Sequence, residues 1–93
     1  MYIRVELTRD AKKDLEKAPL QIVLKLQAWS DLVNRVGIYE ARKISGYHDE
    51  PLKGKRKGQR SIRLNKAYRA IYMETKDNKI HLISIVEVNK HEY

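Results

Sequence analysis

A helical stripe of hydrophobic residues in the first half of this chain gives way to Ile-, Val- and Tyr-rich segments in the second. That change of pattern limits the fold more than any other feature. Ile22, Leu26, Trp29, Val33 and Val36 repeat every three or four residues, which places them along one stripe of an α-helix. Pro19 suits the first turn of that helix, and Trp29, inside the stripe, reads as core. Beyond residue 58 the segments "QRSIRL", "YRAIYMET" and "KIHLISIVEV" are rich in Ile, Val and Tyr. The joints "NKA" and "KDNK" between them are short enough for hairpins, so these segments read as strands. The opening "YIRVEL" alternates Ile3, Val5 and Leu7 with Tyr2, Arg4 and Glu6, the period of a half-buried strand. Thr8 can cap a short helix through Lys17, with Asp10 at its positive end. Gly37 marks a break before a third helical stretch ending near Ile44.

One strand, then helices, then three strands predict a single α+β domain over residues 1–93: a mostly antiparallel four-stranded sheet with two to three helices packed on one face. The opposite face of the sheet is left open. The 93 residues have room for one two-layer core. Without cysteine there is no disulfide framework and no thiolate zinc site, in keeping with an expected reducing cytoplasm. No run of about 18 apolar residues is present to span a bilayer, no signal peptide is expected, and no membrane partner is expected.

The formal net charge is +8, and the stretch from Arg42 to Arg69 carries that whole excess, with ten Lys or Arg against Asp49 and Glu50. Charge gathered in one folded segment points to a polyanionic partner. Arg60 and Arg63 fall on the first of the three late strands and Arg69 on the next, so a hairpin can bring guanidinium groups together, and guanidinium grips phosphate bidentately. Lys53, Lys55, Arg56 and Lys57 occupy the loop before them, beside Gly54 and Gly58. The loop lacks the Gly-Lys-Ser/Thr ending of a phosphate-binding nucleotide loop. The closing "VNKHEY" puts Lys90, His91, Glu92 and Tyr93 after the last strand, several proton-transfer groups within four residues. His48, His81 and His91 lack the paired spacing of a metal site, and His81 reads as a solvent-facing strand residue. Glu50, beside Pro51, reads locally as an ordinary loop acid.

The order of these elements, with "EPLKGKRKGQRSIRLNKAYRAIY" and the closing "VNKHEY", resembles the RelE/ParE superfamily of type II toxin–antitoxin toxins. Within it, the chain looks like the mRNA-cleaving RelE, HigB, YoeB and YafQ branch. The resemblance covers nearly the whole chain and is carried by Pro51-Leu52-Lys53-Gly54, by Tyr68-Arg69-x-x-Tyr72 and by the terminal Tyr93. It implies that Arg69 holds the scissile phosphate, that His91 and Tyr93 occupy the C-terminal functional positions, and that Glu50 is the general base, as in YoeB-like members. HigB and YafQ members more often have His at the Glu50 position; here His48 lies two residues earlier, and Glu92 is an addition between His91 and Tyr93.

The activity implied is a ribosome-dependent endoribonuclease that cleaves mRNA and stops translation. RNA brings its own nucleophile, the 2′-hydroxyl, so such an enzyme needs a base, an acid for the 5′-oxygen and cations around the phosphorane, and no metal or cofactor is expected. Arg69 and Arg63 would supply the charge. Glu50, His91 and Tyr93 stay open as the base, with reference pKa values near 4.3, 6.5 and 10 for their side-chain types. The partners implied are a cognate antitoxin, the ribosome with its mRNA, and operator DNA reached through the antitoxin. Two other readings stay open on the same fold: a ParE-like inhibitor of DNA gyrase, and a non-catalytic RNA- or ribosome-binding protein.

If the Arg42 to Arg69 segment tracks a phosphate backbone, affinity for ribosomes or RNA falls steeply between about 50 and 200 mM salt. Binding that stays flat over that range would remove the polyanion reading. Lys53→Ala or Lys57→Ala weakens binding modestly and leaves cleavage intact at saturating ribosome.

Overall fold

The computed structural model describes residues 2–90. Strand β1 (Tyr2–Leu7) leads into helices α1 (Arg9–Lys17), α2 (Leu20–Val36) and α3 (Ile38–Ala41), and then into strands β2 (Glu50–Pro51), β3 (Gln59–Arg63), β4 (Tyr68–Lys76) and β5 (Ile80–Lys90). The sheet has five strands in the order β1-β5-β4-β3-β2, parallel between β1 and β5 and antiparallel elsewhere. The expected count of four is therefore one short. The added strand, β2, is only two residues long, and so short a segment has no alternation to reveal it.

Local chemistry sets the element ends. The Thr8 hydroxyl accepts the Ala11 N–H at 3.2 Å, capping α1, and Asp10 sits in its first turn. Pro19 precedes α2 as its cap rather than opening its first turn. Gly37 ends α2 at φ 88°, a left-handed setting that favours glycine. The third helix stops at Ala41, short of the expected Ile44, as Lys43 and Ile44 close tighter bonds to the carbonyls three residues back.

Ile22, Leu26, Trp29 and Val33 form the buried stripe of α2 and share one core with Ile62, Ala70, Tyr72, Ile83, Ile85 and Val88 of the sheet and with Leu64 of the β3–β4 turn. Val36, expected in the stripe, is 44% exposed. It is the last residue of α2, where the chain already turns away at Gly37. At the centre of the core the Trp29 and Tyr72 rings lie 5.2 Å apart at 47°.

A bulge in β5 adjusts the sheet to this packing. Ile71 pairs with Glu87 but Tyr72 pairs with Ile85, so Val86 is the extra residue and Ile83, Ile85 and Val88 all reach the core. Past Ile85, β1 no longer covers the β5 edge. There the Thr8 hydroxyl donates to the Val86 carbonyl at 3.2 Å and the Asp14 carboxylate accepts the Val88 N–H at 2.9 Å. Helix α1 thus closes an edge that would otherwise invite another strand.

On the helix side of the sheet, a line of polar side chains runs beside the core. Arg60 Nε donates to Asp49 at 2.6 Å, the Tyr72 hydroxyl donates to Asp49 at 2.5 Å, and Arg42 Nε donates to the Tyr72 oxygen at 3.1 Å. Arg42 also pairs with Glu74, whose other oxygen lies 2.6 Å from His81 Nε2. His81 is therefore not a solvent-facing residue: it is 5% exposed, because odd positions of β5 before the bulge turn inward with Ile83 and Ile85. Burial and the bond to Asp49 push the Tyr72 phenol far above its ordinary range, so it stays a donor. Burial acts against the charge of Glu74, but Arg42 and His81 outweigh it and hold its carboxyl below the usual value.

A carboxyl lowered in the folded state stabilises above its unfolded pKa, near 4.3 for Glu, and that stability disappears as pH falls through the lower folded value. Glu74→Gln is accordingly expected to lower the melting temperature near neutral pH, with the gap to the parent protein narrowing as pH falls below about 4. Melting curves across that range check this. A gap of constant size would assign Glu74 to packing alone.

Candidate active site

The face of the sheet away from the helices is organised in rows. Cross-strand pairing aligns Glu50, Ser61, Ile71 and Glu87 in one row and Arg63, Arg69 and Asn89 in the next. These residues alternate with the core positions Ile62, Ala70 and Tyr72, so their side chains share the open face. Ile71 is fully buried although it lies outside the helix-side core.

The hairpin between β3 and β4 places the arginines. The Asn65 carboxamide oxygen accepts the N–H groups of Ala67 and Tyr68, each at 2.7 Å, and Leu64 N–H donates to the Tyr68 carbonyl at 2.9 Å. This tight connection brings Arg63 directly opposite Arg69. Like charges facing each other across a strand pair are destabilising. An anion lying between them removes that repulsion.

Arg69 is also held from the far side. Its Nε donates to Asn89 at 3.2 Å, Asn89 donates to Glu87 at 2.6 Å, and Glu87 pairs with Arg56 at 2.5 Å. The terminal nitrogens of Arg69 make no hydrogen bond among the described residues, which leaves the paired donors of the guanidinium available to an incoming oxyanion. Burial raises the Glu87 carboxyl, but the bonds from Arg56 and Asn89 and the nearby charges of Arg56 and Arg69 outweigh this and hold it below the usual value.

His48, Glu50, Arg63, Lys66 and Arg69 line one concavity on this face, together with Asn65 and Tyr68. A carboxylate, an imidazole and three cations therefore border a single space. His48 stands at φ 46°, the only non-glycine residue with positive φ among those described, immediately before the strand carrying Glu50. Among the described residues no group of three His, Asp or Glu is arranged to hold a metal ion, and no helix is long and apolar enough to cross a membrane.

Other expected residues fall elsewhere. Arg60 lies on the helix side, paired with Asp49, whose side chain is 1% exposed, and so it is not part of the cationic cluster. The three-residue separation of Arg60 from Arg63 already carried this, because positions an odd number apart in a strand face opposite ways. Arg56 is turned onto Glu87 and Gln59 rather than standing free. Lys53, Lys55 and Lys57 are exposed around the loop, where Gly54 and Gly58 have positive φ. Lys90 is exposed and follows Asn89, so it points to the other face from Arg69. His91 and Tyr93 lie outside the described residues. Sequence reasoning did not single out Lys66 or Ser61 for the site, nor Glu87 and Asn89 behind Arg69. Only cross-strand register connects the last two to Arg69.

No protein-family model and no curated protein matches the sequence. The fold does match solved structures. The Escherichia coli DinJ–YafQ toxin–antitoxin complex aligns at a TM-score of 0.75 and 22% identity, covering 98% of this chain and 94% of that one. An archaeal RelE–RelB complex from Pyrococcus horikoshii OT3 aligns at 0.70 and 22% identity, covering 97% and 96%. The YoeB dimer from Staphylococcus aureus aligns at 0.68 and 22% identity over all of both chains. At this identity the likeness establishes the fold, that of RelE, YoeB and YafQ.

The placement of Arg60 and Lys66 gives opposite expectations. Arg60→Ala leaves buried Asp49 without its cation, a loss on the order of 3–5 kcal/mol in folding stability, with the salt dependence of RNA binding unchanged. Lys66→Ala changes stability by about 0.5 kcal/mol or less and reduces the salt slope by about 1. Urea denaturation and binding at several salt concentrations check both. The reverse pattern would return Arg60 to the binding surface.

Proposed function

We propose, from the fold it shares with RelE, YoeB and YafQ, that this chain is the toxin of a type II toxin–antitoxin pair and acts as a ribosome-dependent endoribonuclease on mRNA. The observation that supports it best is the meeting of Glu50, Arg63 and Arg69 around one concavity on the helix-free face. A protein that only bound RNA would need the cations and would bind less well for having a carboxylate among them. Cleavage needs both.

In the reaction Glu50 takes the proton of the 2′-hydroxyl as its oxygen attacks the adjacent phosphorus. A new 2′-oxygen–phosphorus bond forms while the bond to the 5′-oxygen breaks, giving a 2′,3′-cyclic phosphate and a free 5′-hydroxyl. Arg69 and Arg63 bear against the phosphoryl oxygens, where negative charge grows in the transition state. The proton for the leaving oxygen comes from His91 or Tyr93 of the C-terminal segment, or from His48 at the rim. No step calls for a cofactor. The DinJ–YafQ and RelE–RelB complexes support a cognate antitoxin as partner, and the basic excess suits an acidic segment of that antitoxin. Ribosomes and mRNA place the action in the cytoplasm, with operator DNA reached by the toxin–antitoxin complex through the antitoxin.

Measured as single turnover on pre-bound ribosomes, Arg69→Ala is expected to slow cleavage about a hundredfold or more with a far smaller loss of binding. Glu50→Gln slows the chemical step while ribosome affinity is kept. Of His48→Ala, His91→Ala and Tyr93→Phe, the variant that flattens the second limb of the pH–rate profile identifies the acid. Full rates in all of these variants would leave a binding surface without chemistry, and inhibition of DNA gyrase in a parallel assay would replace this reading with a ParE-like one.

A further inference from the structure

Asp49 stands between two residues that border the site, yet its own side chain is turned away and is 1% exposed. Its two oxygens are held by two different strands: Oδ1 by Arg60 Nε of β3 at 2.6 Å, and Oδ2 by the Tyr72 hydroxyl of β4 at 2.5 Å. Tyr72 is itself fixed from both ends, with its ring against Trp29 in the core and its oxygen accepting from Arg42. The strand that follows Asp49 needs such support. It has only two paired residues, Glu50 with Ser61 and Pro51 with Arg60, and Pro51 has no N–H to donate.

Alternation then connects the buried pin to the open face. With Asp49 directed inward, Glu50 is directed outward, into the row of Ser61, and His48 completes the rim through its left-handed backbone. The left-handed conformation of a non-glycine residue persists where its surroundings hold it, and the residue next to it is the one anchored in the sheet. We propose that Asp49 is a positioning residue of this site: through Arg60 and Tyr72 it sets where Glu50 and His48 stand relative to Arg63 and Arg69. It does not touch substrate. This assignment rests on the endoribonuclease reading for its effect on rate, but not for its effect on the two neighbouring side chains.

A purely stabilising ion pair would behave differently. Loss of such a pair reduces the fraction folded and leaves each folded molecule as it was. Misplacement of a reacting group by about 1 Å, by contrast, costs on the order of a hundredfold in rate. The two are separated by three variants: Asp49→Asn, which keeps the size and removes the charge; Tyr72→Phe, which removes one of the two holding bonds; and Glu74→Gln, a stability control on the same polar line that does not touch Asp49.

Two measurements are made on folded protein. In the first, side-chain NMR at one pH records the NOE contacts that the Glu50 and His48 side chains make with the rest of the free chain. Asp49→Asn and Tyr72→Phe are expected to change the contacts of both, and Glu74→Gln to change neither. In the second, single-turnover cleavage at saturating ribosome is expected to fall by about tenfold to a hundredfold in Asp49→Asn, by less in Tyr72→Phe, and not at all in Glu74→Gln, with the half-saturating ribosome concentration unchanged in all three. Should Asp49→Asn fail to fold, Tyr72→Phe decides by the same criteria. Unaltered contacts in the Asp49 and Tyr72 variants, or a rate loss equal to that of the Glu74 control, would overturn the assignment. A parent protein that cleaves nothing would overturn the endoribonuclease reading instead, and the NOE contacts alone would then decide whether Asp49 positions its neighbours.

Discussion

Tyr72 joins the parts of this molecule. Its ring lies against Trp29, where the buried stripe of α2 meets the sheet, and its hydroxyl joins Asp49 to Arg42 at the end of the core. One side chain therefore contributes apolar contact at one end and two hydrogen bonds at the other, a division that suits tyrosine at the border between a core and a polar layer. Burial keeps the phenol protonated, so it acts as a fixed donor to Asp49 rather than as a titrating group. Through that donor the position of the core is passed to the short strand β2 and to the rim of the open face.

The two faces of the sheet handle charge in opposite ways. On the helix side the polar line beside the core consumes its arginines: Arg60 by Asp49, Arg42 by Glu74 and Tyr72. On the open side Arg63 and Arg69 are set against each other, and among the described residues Arg69 is held at Nε, by Asn89. Asn89, itself bonded to Glu87, orients Arg69, while the Glu87 carboxylate makes its ion pair with Arg56. A surface that carries facing like charges has stored repulsion, and an oxyanion is the ligand that relieves it.

Element types were legible along most of the chain because the helical period is clean in α2 and the segments of β3, β4 and β5 are rich in Ile, Val and Tyr. Failures fall where a local pattern is cut short or overruled. Strand β2 has two residues and no pattern. Val36 continues the stripe in sequence but not in space, because Gly37 ends the helix beside it. His81 reads in the sequence as solvent-facing, whereas it shares the inward parity of Ile83 and has Glu74 as partner. Of the residues expected in the site, Glu50, Arg63 and Arg69 come together, while Arg60 pairs inward and Arg56 pairs with Glu87.

Period and charge are local properties, and so the sequence by itself determined the order of helix and strand, the single layer of helices on a sheet, and the basic segment from Arg42 to Arg69. Strand parity in the sequence already separates Arg60 from Arg63, but which of those bases are free to meet an anion was decided by tertiary structure. Freedom depends on partners far away in the chain: Asp49 for Arg60 across 11 residues, Glu87 for Arg56 across 31, Asn89 for Arg69 across 20. Those partners become neighbours only when strand register, the bulge at Val86 and the packing of Tyr72 on Trp29 have set the sheet against its helices. A charge has the same sign wherever it sits, but its pairing is a matter of distance, and distance comes from the fold.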